Sequence, residues 1–476
     1  MPGIAVVAAR RPEPEALGRA LAALRHRAPV STGLFGDRTK GPPRIAFSGR
    51  LFNRPELIDG FRGSLPASLS DGDLVLRLYE RDGDACVESL DGTFAFVVDD
   101  PDRGLFAARD PLGCQPLYIG ERGGTTWLVS EMKAFPADID DFRPLPPGAT
   151  FRPDEADRPF ASYRSRIPAP DGGSSVPLGG TATDRLEDLL DAAVKRRLRG
   201  RTRVGILLSG GLDSSIVAAL AARHLPCVDT FAVGTADGED LAYARLCAEH
   251  LETRHRELVY DRDAMLAVLP DVIRTLESFD APLVRSAVPN YLAARLAQGS
   301  ADLVLSGEGA DELFAGYPYM LAMDPEARDA EIRDVLGTLH ATGLQRGDRC
   351  ASAFGLEVHA PFLDAEFVRF SLAMPVADKT GPGGEEKWPL RQAFADLLPD
   401  GIVRRPKRKF SVGAGSSHLL AEWAEATIPD AAFEAEAVTA GGRRLSGKEE
   451  LLYYRIFRRH FPQVCAERAI GFTRGA

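Results

Sequence analysis

Cysteine is scarce in this chain. Six are spread over 476 residues, at positions 86, 114, 227, 247, 350 and 465, and none forms a CxxC pair. That spacing excludes a zinc ribbon and a small-domain disulfide framework, and it predicts reduced thiols packed in cores. Long apolar runs are missing too, so no segment is expected to span a bilayer and no membrane partner follows. The N-terminal stretch MPGIAVVAARRPEPEA has a short apolar run met at once by charges. It lacks the basic start and cleavage site of a secretory signal, so the expected location is cytoplasmic. Nor is there an excess of positive charge: 58 basic against 68 acidic residues leave a net charge of -10. This argues against nucleic acid as the main partner. What is present, 45% hydrophobic and 26% charged residues, is an ordinary globular balance in a chain long enough for two or three domains.

The first third reads as short strands between turns, at Gly3–Ala8, Arg44–Ser48, Gly92–Val98, Gly104–Ala107 and Trp127–Ser130, with helices at Glu13–Arg25 and Asp73–Arg81. This pattern predicts an α+β sandwich over residues 1–165. From Pro144 to Gly180 the chain turns rich in proline and glycine, and an interdomain linker is expected there, centred on 166–180. Beyond it, over 181–476, Thr183-Asp184 precede a helical run that starts acidic and ends basic, as a helix dipole prefers. Strands at Val204–Leu208, Asp229–Val233 and Ala301–Ser306 then alternate with helices at Ile216–His224, Asp240–His250, Ala264–Leu276 and Tyr291–Gln298. Strands apolar on both faces and separated by helices predict an α/β doubly wound parallel sheet.

Between one such strand and its helix lies Leu207-Leu208-Ser209-Gly210-Gly211-Leu212-Asp213-Ser214-Ser215. Its glycines let the backbone approach a polyanion, and the following helix offers free N–H groups and a positive end. The serine hydroxyls add donors, and Asp213 can hold the Mg²⁺ that accompanies ATP. The loop is not a Walker A sequence. A closer Walker look-alike, Gly442 through Gly447-Lys448, has Glu449 at the hydroxyl position and no preceding strand, so a solvated loop is expected. The SGGLDSS loop resembles that of the N-type ATP pyrophosphatases, which split ATP to AMP and pyrophosphate.

A second run, Leu305 to Tyr317 (LSGEGADELFAGY), resembles a segment of the asparagine synthetase B family. So do Phe231–Gly234, Glu357 through Asp364, and Lys407–Ser411. In the N-terminal part, Asp91–Phe96, Arg109–Gly113 and Ser130–Ala134 match the same family in order. The resemblance implies an N-terminal nucleophile-hydrolase-like sandwich followed by an adenine nucleotide α-hydrolase-like synthetase domain that binds ATP and forms an acyl-adenylate. By that likeness Leu207, Val233, Ser306 and Gly307 hold the adenosine and Asp240 reaches the ribose. Residues Ser209 to Ser215 cradle the pyrophosphate, and Asp213 and Asp311 are the candidate Mg²⁺ ligands. Lys407 would neutralise charge developing during acyl transfer, and Arg285 would face the substrate. Taken singly, Asp311-Glu312 could be a helix start, Lys407 part of a solvated basic run, and Arg285 a surface ion pair.

The family's glutaminase domain uses a cysteine directly after Met1; here that position is Pro2. Proline brings no thiol, so no thioester can form. The family's RHRGPD reads Arg25-His26-Arg27-Ala28-Pro29-Val30, and its NGEIYN reads Ser48-Gly49-Arg50-Leu51-Phe52-Asn53. A scaffold without glutaminase chemistry is expected, with Ser70–Asp73 structural.

β-Lactam synthetases have also lost the cysteine. They place a tyrosine at the position of Glu308 and pair it with a glutamate matching Glu357. The carboxylate of Glu308 suits deprotonation of ammonium, which favours ammonia or a small amine over ring closure. Pro282 and Leu283 stand where the family carries a threonine pair, Ala287 and Val288 where it carries further hydroxyls, and His359 where it carries arginine. A pocket stripped of hydroxyls would leave aspartate poorly paired, so a different small-molecule carboxylic acid is expected. An intramolecular cyclase, of β-lactam or lasso-peptide macrolactam type, an ammonia-using asparagine synthetase, and a non-catalytic binding protein stay open as alternatives, as does a homodimer.

Overall fold

The computed structural model describes residues 2–8, 14–27, 30–35, 41–62, 65–66, 68–153, 160–162 and 180–474. Its strands, in chain order, are β1 (Gly3–Ala8), β2 (Val30–Phe35), β3 (Arg44–Leu51), β4 (Gly92–Asp100), β5 (Gly104–Arg109), β6 (Tyr118–Arg122), β7 (Thr125–Val129), β8 (Asp141–Pro144), β9 (Ala149–Phe151) and β10 (Phe160–Ser162). They are followed by β11 (Val204–Leu207), β12 (Asp229–Gly234), β13 (Arg254–Val259), β14 (Leu303–Leu305) and β15 (Glu357–His359). The chain divides into two compact units, Met1–Arg166 with Arg458–Ile470, and Ile167–Phe457 with Gly471–Ala476. No helix among the described residues is long and apolar enough to cross a membrane.

The first unit is the expected sandwich, with sheets ordered β2-β1-β7-β6-β8 and β10-β9-β5-β4-β3. Strand periodicity explains its layers. Ala95 and Val97 of β4 join Ile4 and Val6 of β1 and Leu128 of β7 in one core between the sheets. Phe94, Phe96 and Val98, on the other face of β4, pack with Leu74, Val75 and Leu78 of the helix Asp71–Asp82. Burial of each large side chain contributes about 1.5–3 kcal/mol. Ser70 caps that helix by accepting from the Asp73 N–H at 3.1 Å, a structural part as expected.

The proline-rich stretch is less of a linker than its composition suggests. β9 and β10 lie within it, β9 pairing with β5 and with β10. Pro147 and Pro153 flank β9 rather than interrupt it, so its ladder keeps its N–H donors. Most of 166–180 lies outside the described residues, and a helix already runs from Gly180 to Leu198, so Thr183 and Asp184 are inside it.

Among the described residues of the second unit, five strands form one parallel sheet in the order β13-β12-β11-β14-β15. The helices Leu212–His224 and Asp240–His250 follow β11 and β12, and Arg262–Leu276 and Ala281–Ala297 lie between β13 and β14. Sequence reading misses β13. Its RHRELV is polar over its first four positions because it is an edge strand, half exposed. Strand order reverses between β11 and β14, where the connections leave in opposite directions. A doubly wound sheet opens a crevice at that switch point, outside the carboxyl ends of the strands.

Candidate active site

β11 and β14 are hydrogen-bonded neighbours, so the turns that follow them meet. Two glycines allow close approaches here, Gly210 to the helix Asp240–His250 and Gly307 to the turn after β11. Gly210 has φ +69, and a Cβ there would sit 2.4 Å from the Ala244 nitrogen. A Cβ on Gly307 would lie 2.7 Å from Cβ of Asp213. Neither approach admits a side chain. Ser214 Oγ accepts from the Ser209 N–H at 3.2 Å and Ser209 Oγ from the Gly211 N–H at 3.3 Å, which rounds the first turn.

Asp213 thus comes from the first turn of one helix and Asp311 from the short helix Ala310–Leu313. Two lysines join them. Lys387 Nζ lies 2.6 Å from Asp213 Oδ2 and 2.5 Å from Asp311 Oδ1. Lys407 Nζ lies 2.5 Å from Asp311 Oδ2 and 3.8 Å from Asp213 Oδ2. Burial favours the neutral acid at Asp311, but Lys387 and Lys407 outweigh it and hold the carboxyl well below the usual carboxylate range. Burial likewise opposes the charge of Lys407, yet Asp311 and Asp213 push its pKa up. Burial, with Asp311 and Glu308 nearby, raises Glu312 to about 7, and its Oε1 accepts from the Tyr317 hydroxyl at 2.5 Å. Neither lysine rests on a lone rotamer. Glu386 Oε1 accepts from the Lys407 N–H at 2.7 Å, and Arg391 binds Glu386, Val403 O and Arg405 O, tying the two lysine-bearing segments together.

Asp213, Asp311 and Lys407 open onto a cavity of about 250 Å³. Apolar Leu207, Phe231 and Val233 line it together with Ser209, Ser214, Ser306 and Gly307. Glu308 stands inside, ion-paired with Arg346, whose Nη1 also donates to Ser286 Oγ at 2.8 Å. An apolar face for a base, hydroxyls and a helix N-terminus for phosphates, and a carboxylate pair among fixed cations suit a nucleoside triphosphate.

Comparison with known proteins shows the family. The asparagine synthase family profile matches residues 185–333 and 322–473, and a glutamine amidotransferase domain profile matches 36–137. An asparagine synthetase [glutamine-hydrolyzing] of Brassica oleracea is 34% identical over 445 residues, covering 89% of this chain and 75% of the relative. Probable asparagine synthetases [glutamine-hydrolyzing] of Schizosaccharomyces pombe and Dictyostelium discoideum are 33% and 34% identical, each covering 89% of this chain and 82% of the relative. The chain belongs to the asparagine synthase family of carbon–nitrogen ligases.

Several residues expected at the site stand elsewhere. Glu357 opens β15 beside Leu303, at the amino end of the sheet, and pairs with Arg201, so it does not line the cavity. His359 is buried, 3.8 Å from Glu357, and is also outside the lining. Arg285 points away as well. The helix Ala281–Ala297 turns Pro282, Ser286 and Asn290 to the cavity, and one residue earlier in phase Arg285 meets Glu449 at 2.9 Å. Asp240 is taken by Arg405 at 2.6 Å, and Arg405 in turn reaches Ser209 O at 3.4 Å, so Asp240 braces the loop from behind. Burial raises the Asp240 pKa in spite of Arg405. Ser215 is fully buried in its helix, and Gly210, Gly211 and Leu212 shape the turn without lining the cavity. Pro282 and Leu283 do line it, whereas Ala287 and Val288 are core residues. The Walker look-alike is a partly exposed stretch with Leu445 buried, and its Lys448 opens the helix Lys448–His460 and pairs with Glu425 and Asp430.

Sequence reasoning missed Lys387 and Arg346. Neither lies in a strand-to-helix turn; the only local signal at Lys387 is an acidic pair, Glu385-Glu386, before it. In the first unit the family motifs are spent on internal bonds. Asp110 accepts from the N–H groups of Phe94, Leu112, Cys114 and Gln115. Glu131 binds His26, Arg27 and Lys133. Ser48 Oγ donates to Pro2 O at 2.5 Å and bonds Gln115 Oε1 at 2.9 Å.

Proposed function

We propose that the chain adenylates a substrate carboxylate with ATP, releases pyrophosphate, and passes the acyl group to ammonia or a small amine without hydrolysing glutamine. One observation carries this reading: aspartates from two neighbouring strand ends meet two lysines, and Asp213, Asp311 and Lys407 line a cavity that also holds Glu308. The adenine would lie against Leu207, Phe231 and Val233, with Ser209, Ser214 and Ser306 donating to phosphate oxygens. Asp213 Oδ1 is buried with no hydrogen-bond partner, and an ammonium already bridges the two carboxylates, so the pair accepts a cation. Asp213 and Asp311 would hold Mg²⁺, whose charge would offset that of the triphosphate.

A carboxylate oxygen attacks the α-phosphorus and the bond to pyrophosphate breaks. Lys387 and Lys407 are already fixed beside the leaving group and need not reorganise to stabilise its charge. Glu308, positioned by Arg346, takes the proton from the attacking nitrogen, and AMP departs from the acyl carbon. Pro282 and Leu283 line the cavity where the resemblance places a threonine pair, which supports an acid other than aspartate, although Ser286, Thr338, Thr342 and Thr473 keep the pocket from being stripped of hydroxyls. The residue before β1 is Pro2, which supports loss of the glutamine reaction even though the relatives carry it in their names.

ATP–pyrophosphate exchange across a panel of carboxylic acids tests the reading. Exchange should require an acid, and Asp213→Ala should reduce it by about two to three orders of magnitude. Equal silence of wild type and variant over a broad panel would end the ligase reading. Ammonium should support amide formation and glutamine should not. Glutamate released from glutamine in step with product would overturn the second half. A product one water lighter than a single substrate would identify ring closure instead.

A further inference from the structure

We infer that Glu277 and Arg349, a buried ion pair outside the cavity, are positioning residues that set Glu308 for proton removal; the inference rests on the reading of Glu308 as the base. One helix, Gly343–Ser352, touches Glu308 at two points. Arg346 ion-pairs with Glu308 and donates to Ser286 Oγ at 2.8 Å, on the helix Ala281–Ala297. Gly343, at the start of the same helix, comes so close that a Cβ there would lie 2.6 Å from Glu308 Oε2. The carboxylate is therefore held between a guanidinium and the backbone of a single helix. A slide of that helix by a fraction of an ångström would carry Glu308 with it or push it aside.

The same helix is tied to the junction between Arg262–Leu276 and Ala281–Ala297 by side chains that do not line the cavity. Gln345 Nε2 donates to Leu276 O at 2.7 Å, and Arg349 Nη2 donates to Glu277 Oε2 at 3.2 Å. Arg349 Nη1 also donates to Asp348 Oδ2 at 3.0 Å. Glu277 is 0% exposed and Arg349 1%. Glu277 ends its helix at φ 59 and ψ 39, a left-handed conformation that glycine adopts without strain and glutamate does not. What the glutamate brings to that strained place is a carboxylate for Arg349. A buried ion pair adds little net stability over an apolar pair of the same volume, so this one supplies geometry. Three residues on, Asp280 caps Ala281–Ala297 by accepting from the Leu283 N–H at 3.2 Å. The junction thus fixes both helices that Arg346 spans, the one that carries it and the one that carries Ser286.

The test separates the two half reactions. Acid-dependent ATP–pyrophosphate exchange reads adenylation, and amide formed with ammonium reads acyl transfer that needs a base. Hydroxylamine, mostly unprotonated at neutral pH, reads acyl transfer to an amine with no ammonium proton to shed. Glu277→Gln should cut amide formation from ammonium by about a hundredfold in kcat, because a small misplacement costs that much, while exchange and hydroxamate formation stay within about twofold. Arg349→Lys keeps the charge and loses the planar fork, so it should lose about tenfold with ammonium alone, and it replaces the first variant if that one does not fold. Glu308→Gln should lose ammonium use at least as strongly. Equal losses with ammonium and hydroxylamine, or ammonium use unchanged in both pair variants, overturns the inference and spares the base. Glu308→Gln with ammonium use intact sinks the reading of Glu308, and the inference with it.

Discussion

Asp110 and Asp213 both belong to motifs shared with asparagine synthetases, and they show how differently the two units use such motifs. Asp110 sits in the first unit with four backbone N–H groups donating to its two oxygens. Asp213, in the second, leaves Oδ1 without a partner and faces a cavity. Arg109 repeats the contrast with Lys407: the arginine is spent on the carbonyls of Gln115, Leu145 and Gly113, while the lysine stands at the cavity mouth. A motif whose polar atoms are all satisfied by its own backbone reports a fold. One whose charges converge, partly unsatisfied, on open space reports a chemistry.

The contrast can be broken most forcefully at Lys387. Lys387→Met leaves two aspartates beside a single cation, and breaking a buried ion pair costs about 3–5 kcal/mol. Pyrophosphate exchange should fall by about two orders of magnitude or more, with a lowered melting temperature. Exchange within a few fold of wild type would show that Lys407 alone carries the charge. The matching change in the first unit is Asp110→Ala. It strips partners from four N–H groups, at about 1–3 kcal/mol for each one left unpaired. The melting temperature should drop while exchange per folded molecule stays unchanged; a catalytic loss without a stability loss would erase the distinction between the units.

A smaller effect sharpens the comparison within the second unit. Lys379 is fully buried, donates to Leu313 O at 2.7 Å, and is pushed down to about 7 by burial. Its folded pKa lies below its unfolded one, so between about pH 7 and 10.5 the unfolded chain binds more protons. Stability from this site therefore rises with pH across that window and is lost as pH falls toward 7. Denaturant melts should show wild type gaining on Lys379→Met between pH 7 and 9.5. A flat difference would mean the amine titrates normally.

Much of this was legible from residue order because the informative features are local. A strand, a glycine turn and a helix start lie within nine residues at Leu207–Ser215, and strand periodicity marks β1, β4 and β5. The hidden parts depend on phase and distance. Arg285 and Ser286 are adjacent, yet helix rotation sends one to Glu449 and the other to the cavity. Glu357 lies two residues from the end of β15, but at the wrong end of the sheet.

By itself the sequence determined the family, the parallel sheet, and the two turns that supply Asp213 and Asp311, since each is written in a contiguous stretch. Only the tertiary structure decided that Lys387 closes the charge cluster from 174 residues away, that Arg346 holds Glu308, and that Thr473 and Arg474 wall the cavity. The reason is physical: local propensity shapes a turn, but which charges share a cavity is set by how a folded sheet brings distant strand ends together.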